Sequence, residues 1–158
     1  RVALIDLKLV EEAGFFRRTL ECAVVKLVCE KAAVKELSDD FVLALKANLN
    51  LQDFYLENPA PDKLMELDNE FHHLLFSCVD KERCYRMCCD IGIHFDRIRH
   101  LALHTVKELK IVGDHHDILS AICACDADRA YALMAAHLTR FEIDEKLIKN
   151  EYPEYFVN

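Results

Sequence analysis

Apolar residues recur along this chain every three to four positions, with polar residues between them, and the pattern holds almost from end to end. Phe16, Leu20, Val24 and Leu27 form one stripe, predicting a helix over about Phe15 to Lys31. Leu37, Phe41, Leu45 and Leu49 form a second stripe, for a helix from about Val34 to Leu51. After the loop E-N-P-A-P-D, a third helix is expected from about Asp62 to Cys78. A long fourth follows from about Glu82 to Leu109, with Gly92 as a kink. Gly113 is read as its close and Asp114 as the N-cap of a short fifth helix reaching about Ala124. Cys125-Asp126 then starts a sixth, running to about Lys149. Residues 1–12 are a short lead-in ending near Gly14, and residues 13–158 are the domain proper. A first residue other than Met points to a piece of a longer protein.

Composition agrees with an all-α reading. Three Gly and three Pro in 158 residues are too few turn formers for a sheet of short strands. The net charge of −8 argues against nucleic-acid binding by this segment itself, because no basic stripe is present to neutralise phosphates. No apolar run approaches the ~20 residues of a bilayer span, and no signal peptide is visible, so a cytoplasmic protein with no membrane partner is expected. The eight Cys fall mostly inside apolar helical patterns such as C-A-V-V-K-L-V-C. Reduced, mostly buried thiols are therefore expected rather than disulfides.

The chemistry concentrates in histidine. In M-E-L-D-N-E-F-H-H-L-L-F, Asp68 and His72 lie four residues apart, on one helical face. His115 is expected in the first turn of its helix, where the dipole favours a neutral imidazole. His137 sits in A-L-M-A-A-H-L, where an imidazole without a partner would be costly. One Asp and three neutral His suit Zn, Ni, Mn or Fe, while hydrogen-bonded core residues remain the plainer account. Glu70-x-x-His73 is half of a di-iron motif with no second copy. His100 and His104 form an i,i+4 pair on what reads as a half-solvated face.

Three segments together carry a resemblance: F-F-R-R-T-L-E (15–21), L-D-N-E-F-H-H-L-L (67–75) and D-H-H-D-I-L-S-A-I-C-A-C-D-A-D-R-A-Y-A-L-M-A-A-H-L (114–138). In order and character they resemble the FCD domain, the C-terminal effector-binding domain of FadR-type GntR transcription regulators. The resemblance covers about residues 10 to 150 and implies an antiparallel bundle of six or seven helices. It further implies that Asp68, His72, His115 and His137 hold a divalent metal, with Zn first and Ni, Mn or Fe as alternatives. A small carboxylate or sugar-acid effector would bind beside the ion, in a homodimer that reaches DNA only through an N-terminal winged helix-turn-helix missing from this chain. Arg17 matches the family's first-helix arginine and is a candidate for holding an effector carboxylate, with Arg97 and then Arg99 as weaker ones. Asp114 stands where the family usually has Glu, and C-V-D-K-E-R-C-Y lacks the family's usual turn. These expectations describe a sensor rather than an enzyme. The competing class is a metal-dependent hydrolase on a helical bundle, for which Glu70 and His116 are the available bases, both expected off the ligand face.

Overall fold

The computed structural model describes residues 4–105 and 110–157, and the side chains of all of these except residues 105 and 141–147. Among the described residues there are seven α-helices: α1 Leu7–Ala33, α2 Asp39–Glu57, α3 Pro61–Cys78, α4 Glu82–Ile91, α5 Ile93–Thr105, α6 Ile111–Cys123 and α7 Ala127–Glu151. A short 3-10 turn, Pro153–Tyr155, follows. No β-strand occurs among the described residues. The all-α expectation holds.

Several boundaries differ from the sequence reading. The lead-in is not separate: Asp6 caps α1 by accepting from Lys8 N–H, and α1 runs unbroken through Gly14, which is buried within it. A mid-helix Gly costs about 1 kcal/mol, and continuous burial of Val10, Ala13 and Val24 outweighs that penalty. Leu27 is 37% exposed; the buried stripe runs one residue over, through Val28. The second helix begins at Asp39, where the Ser38 side chain accepts from Phe41 N–H. Lys35 precedes it at φ 59°, a left-handed turn that closes α1. At Gly92 the kink is a full break between α4 and α5. The expected stretch to Leu109 includes residues 106–109, outside the described residues. Gly113 and Asp114 lie inside the first turn of α6, which starts at Ile111, so Gly113 closes nothing and Asp114 is no cap.

The largest part of the core is one cluster. Val24, Val25 and Val28 of α1 meet Leu45 and Leu49 of α2, Phe71, Leu75 and Phe76 of α3, Ile118 and Ile122 of α6, and Met134 of α7. Each large side chain buried this way contributes roughly 1.5–3 kcal/mol. A second cluster joins Ile5, Val10, Phe95, Ile98, Ile148 and Phe156. It lies beneath a clasp in which Val157 N–H donates to Ile5 O (2.9 Å) and Ile5 N–H to Tyr155 O (2.6 Å).

All eight thiols are free. The expectation that most are buried fails: Cys22, Cys29 and Cys88 are buried and Cys78 and Cys84 half-buried, but Cys89, Cys123 and Cys125 are exposed. Cys123 and Cys125 border the tight turn between α6 and α7, where Cys125 takes φ 56° and the helical stripe has ended.

A candidate metal centre lined by imidazoles

Four side chains from three helices converge in the bundle. Asp68 and His72 project from one face of α3, His115 from α6 and His137 from α7, all buried. One ligand atom from each falls within 4.8 Å of the others. His137 Nε2 lies 3.2 Å from Nε2 of His72 and 3.2 Å from Nε2 of His115. Asp68 Oδ1 is 3.4 Å from His115 Nε2 and 3.9 Å from His72 Nε2. Donors placed about 2.1 Å from one ion would stand roughly 3.0–3.4 Å apart, which three of these four spacings match, the 3.9 Å between Asp68 and His72 being wider.

The reverse side of each ring shows why the Nε2 atoms point inward as lone pairs. His115 Nδ1–H donates to Gln52 Oε1 (2.9 Å), and His137 Nδ1–H to Asp114 Oδ2 (3.2 Å). His72 Nδ1 rests against Glu21 Oε2. The Gln52 amide is oriented in turn: its Nε2 donates to Asn48 Oδ1 (2.6 Å), and Asn48 Nδ2 donates to Leu67 O and Glu70 Oε2. For His115 and His137, partners that only accept hold the proton on Nδ1, leaving Nε2 bare, and the carboxylate beside His72 Nδ1 favours the same tautomer there. Burial pushes the pKa of His72 down and that of His115 well down, so both rings are neutral. Without an ion, three bare nitrogens and a carboxylate oxygen would face one another in the core. The donor set fits a divalent transition metal.

His115 sits one turn into α6, not in its first turn, so burial rather than the helix dipole keeps it neutral. Phe71 stacks on it at 4.0 Å between ring centroids and holds the ring flat. Burial alone would raise the pKa of Asp68, but the Arg99 guanidinium on Oδ2 outweighs that and holds the group well below the usual carboxylate range.

Beside the cluster lies a cavity of about 60 Å³. Asp68 and His137 form part of its wall, and Arg17, Arg99 and Arg140 bring three guanidinium groups to it, among apolar Met65, Phe95 and Leu103. Arg17 pairs with Glu21 and lies over the Phe95 ring at 5.4 Å. Arg99 also reaches Asp96 (2.6 Å) and Asn69 (2.9 Å). Arg140 clamps Asp114 through two hydrogen bonds of 2.8 and 2.7 Å. Arg97, the other arginine singled out on this helix, is half-buried and not among the lining residues. Glu70 and His116 are engaged elsewhere, with Asn48 and with the exposed Asp53 carboxylate (3.0 Å). His73 turns outward to Glu82.

Sequence reasoning did not find Glu21, Gln52, Asp114 and Arg140. For Gln52 a signal was present: Asn48 and Gln52 interrupt the Leu45–Leu49 stripe, and a polar pair on a buried stripe needs a partner. Asp114 was visible but read as a cap. Arg140 lies past the last motif and carried no signal.

Fold and site together define an all-α bundle with a buried Asp/three-His cluster that could hold a metal, beside an arginine-lined cavity. The profile of the FCD domain matches residues 12–140, and the chain belongs to that family. It is 26% identical over 153 residues to the HTH-type transcriptional repressor RspR of Escherichia coli K12. The same identity holds for the HTH-type transcriptional regulator YdfH of Shigella flexneri and of an Escherichia coli O6:H1 strain. The alignment spans 96% of this chain and 65% of each relative. Among the described residues, no helix is long and apolar enough to cross a membrane.

Proposed function

We propose that this chain is the sensor domain of a cytoplasmic transcription regulator. It would hold a divalent metal on Asp68, His72, His115 and His137 and bind a small carboxylate in the adjoining cavity. The observation that carries the reading is that all three imidazoles have their Nδ1 atoms against acceptors and their Nε2 atoms turned on one point, beside Asp68. Three nitrogens and one oxygen favour Zn, with Ni, Mn and Fe able to use the same donors. The ion would supply a Lewis-acidic anchor for an anionic ligand.

The charges favour an anion. Glu21, Asp68, Asp96 and Asp114 stand against Arg17, Arg99 and Arg140, leaving one negative charge that a divalent ion reverses to one positive. The half-open cavity, of about 60 Å³, suits a small carboxylate or sugar acid whose charge faces the arginines. The relatives' names supply only the wider setting, a helix-turn-helix transcription regulator; in such a protein this domain would govern the DNA grip of a homodimer. A metal-dependent hydrolase is the weaker reading, because Glu70 and His116 are hydrogen-bonded away from the cluster.

The test is elemental analysis of the chain purified without chelators, beside His137→Ala. A stoichiometric ion in the wild-type chain that is lost from the cluster in a variant keeping its helical circular dichroism supports the reading. A wild-type chain that holds no stoichiometric ion and takes up none of Zn²⁺, Ni²⁺ or Mn²⁺ at the cluster overturns it. Thermal shifts from short carboxylates, present with metal and absent after chelation, would then test the effector.

A further inference from the structure

A second group of metal-binding side chains stands on the surface, apart from the buried cluster. Asp62 lies in the first turn of α3, and His100 and His104 lie one turn apart at the end of α5. One ligand atom from each falls within 4.8 Å of the others. His100 Nε2 is 3.0 Å from Asp62 Oδ1, which is the separation of two neighbouring donors on one ion at about 2.1 Å. The two rings lie 4.4 Å apart between centroids. His104 Nδ1–H donates to His100 O (2.8 Å), which fixes the tautomer and leaves Nε2 bare. Among the described residues that nitrogen has no hydrogen-bond partner.

We infer that Asp62, His100 and His104 form a second, solvent-facing site for a borderline divalent ion such as Zn²⁺ or Ni²⁺. A hydrogen bond between Asp62 and His100 explains two of the three residues. It does not explain why His104 is held in the ligating tautomer beside them. Two imidazoles and a carboxylate are borderline ligands suited to Zn²⁺ and Ni²⁺. Three protein ligands leave the remaining positions to water, so this site binds more weakly than the buried four-ligand one. Its position gives it a consequence. Met65, one turn along α3 from Asp62, and Leu103, next to His104, both line the cavity. An ion here ties α3 to α5 at the cavity rim.

The site is independent of the buried cluster, and the experiment separates the two. Equilibrium dialysis of the chain against Zn²⁺ or Ni²⁺ alone is read by elemental analysis for wild type, His100→Ala, His104→Ala, His137→Ala and the control His116→Ala. Alanine is a better helix former than histidine at these exposed positions, so the surface variants should fold. Two ions are expected in wild type and in the control. His100→Ala and His104→Ala should lose the weaker one, with an affinity loss of roughly 100-fold or more, while His137→Ala keeps it. If His137→Ala binds nothing, or if His100→Ala and His104→Ala bind as much as wild type, the surface site is refuted. If one ion binds and only the surface variants lose it, the surface site stands and the buried-metal reading falls.

Discussion

Glu21 is not one of the four converging ligands, yet it sits between the Arg17 guanidinium and Nδ1 of His72, on the outer side of that ring. Burial alone would raise its pKa; Arg17 and His72 outweigh this and bring it to about 2, so it is ionised at neutral pH. Glu21→Gln keeps the shape but leaves Arg17 buried without its counter-charge. The expected outcome is a 10–100-fold loss of Zn²⁺ affinity in a chelator competition and a loss of about 3 kcal/mol in urea unfolding. Unchanged affinity would mean that His72 is not aligned by Glu21. Thiols give a second residue-scale prediction. Burial foremost pushes Cys22 and Cys29 up to about 11 and Cys88 to about 12, whereas Cys89, Cys123 and Cys125 are exposed. A disulfide reagent at pH 8 should label the three exposed thiols quickly and those three buried ones only on unfolding; fast labelling of Cys88 would contradict its placement. The four members of the cluster were legible from the chain: Asp68 and His72 through their four-residue spacing, His137 through its apolar surroundings, and the set as a whole through the resemblance to the FCD domain. The residues behind them were not, since Glu21 and Gln52 reach the rings only through tertiary packing.

At the scale of elements, the three glycines show how far local signals carry. The sequence marks all three as boundaries, but only Gly92 is one. Gly14 and Gly113 are absorbed into helices because packing outweighs a penalty of about 1 kcal/mol. Gly92 separates α4 from α5 because a Cβ there would lie 2.8 Å from the Cys88 carbonyl oxygen, which is backbone and cannot swing aside. Gly92→Ala should therefore cost about 1–3 kcal/mol. Gly113→Ala meets nothing within 4 Å on a helical backbone and should stabilise by about 0.5–1 kcal/mol. Paired urea titrations read both signs; a neutral Gly92→Ala would show that the α4–α5 break needs no glycine. Helix existence was readable from periodicity. Helix ends were not, because side-chain caps at Asp6 and Ser38 and a left-handed Lys35 decide them.

Across the whole molecule, α1, α2, α3, α5, α6 and α7 each send at least one side chain to the cluster or to its immediate partners: Glu21, Gln52, Asp68 with His72, Arg99, His115 and His137. Stability and site are thus linked. His72 and His115 have pKa values lowered by burial, so the unfolded chain binds protons that the folded chain does not. The stability of the metal-free chain should fall as pH drops through about 6.5, by up to ~1.4 kcal/mol per pH unit for each such imidazole. The part contributed by ionised Glu21 lasts further, starting to fade below about 4.3 and lost only as pH nears about 2. Urea midpoints at pH 7.5 and 5.5 measure this, and equal midpoints would mean that the two rings take up protons in the fold as readily as in the unfolded chain.

The clasp at Ile5 has a consequence in time rather than in energy. It pairs residues from opposite ends of the described chain, a contact that local helix formation cannot bring about, so it closes late in folding. With only a few hydrogen bonds holding it, it is also the seam that opens first, and the Ile5 and Val157 amides should exchange with solvent well before those of α3. Phe95 packs beneath that seam and also lines the cavity. A ligand that stills α5 would therefore slow the opening of a latch it never touches.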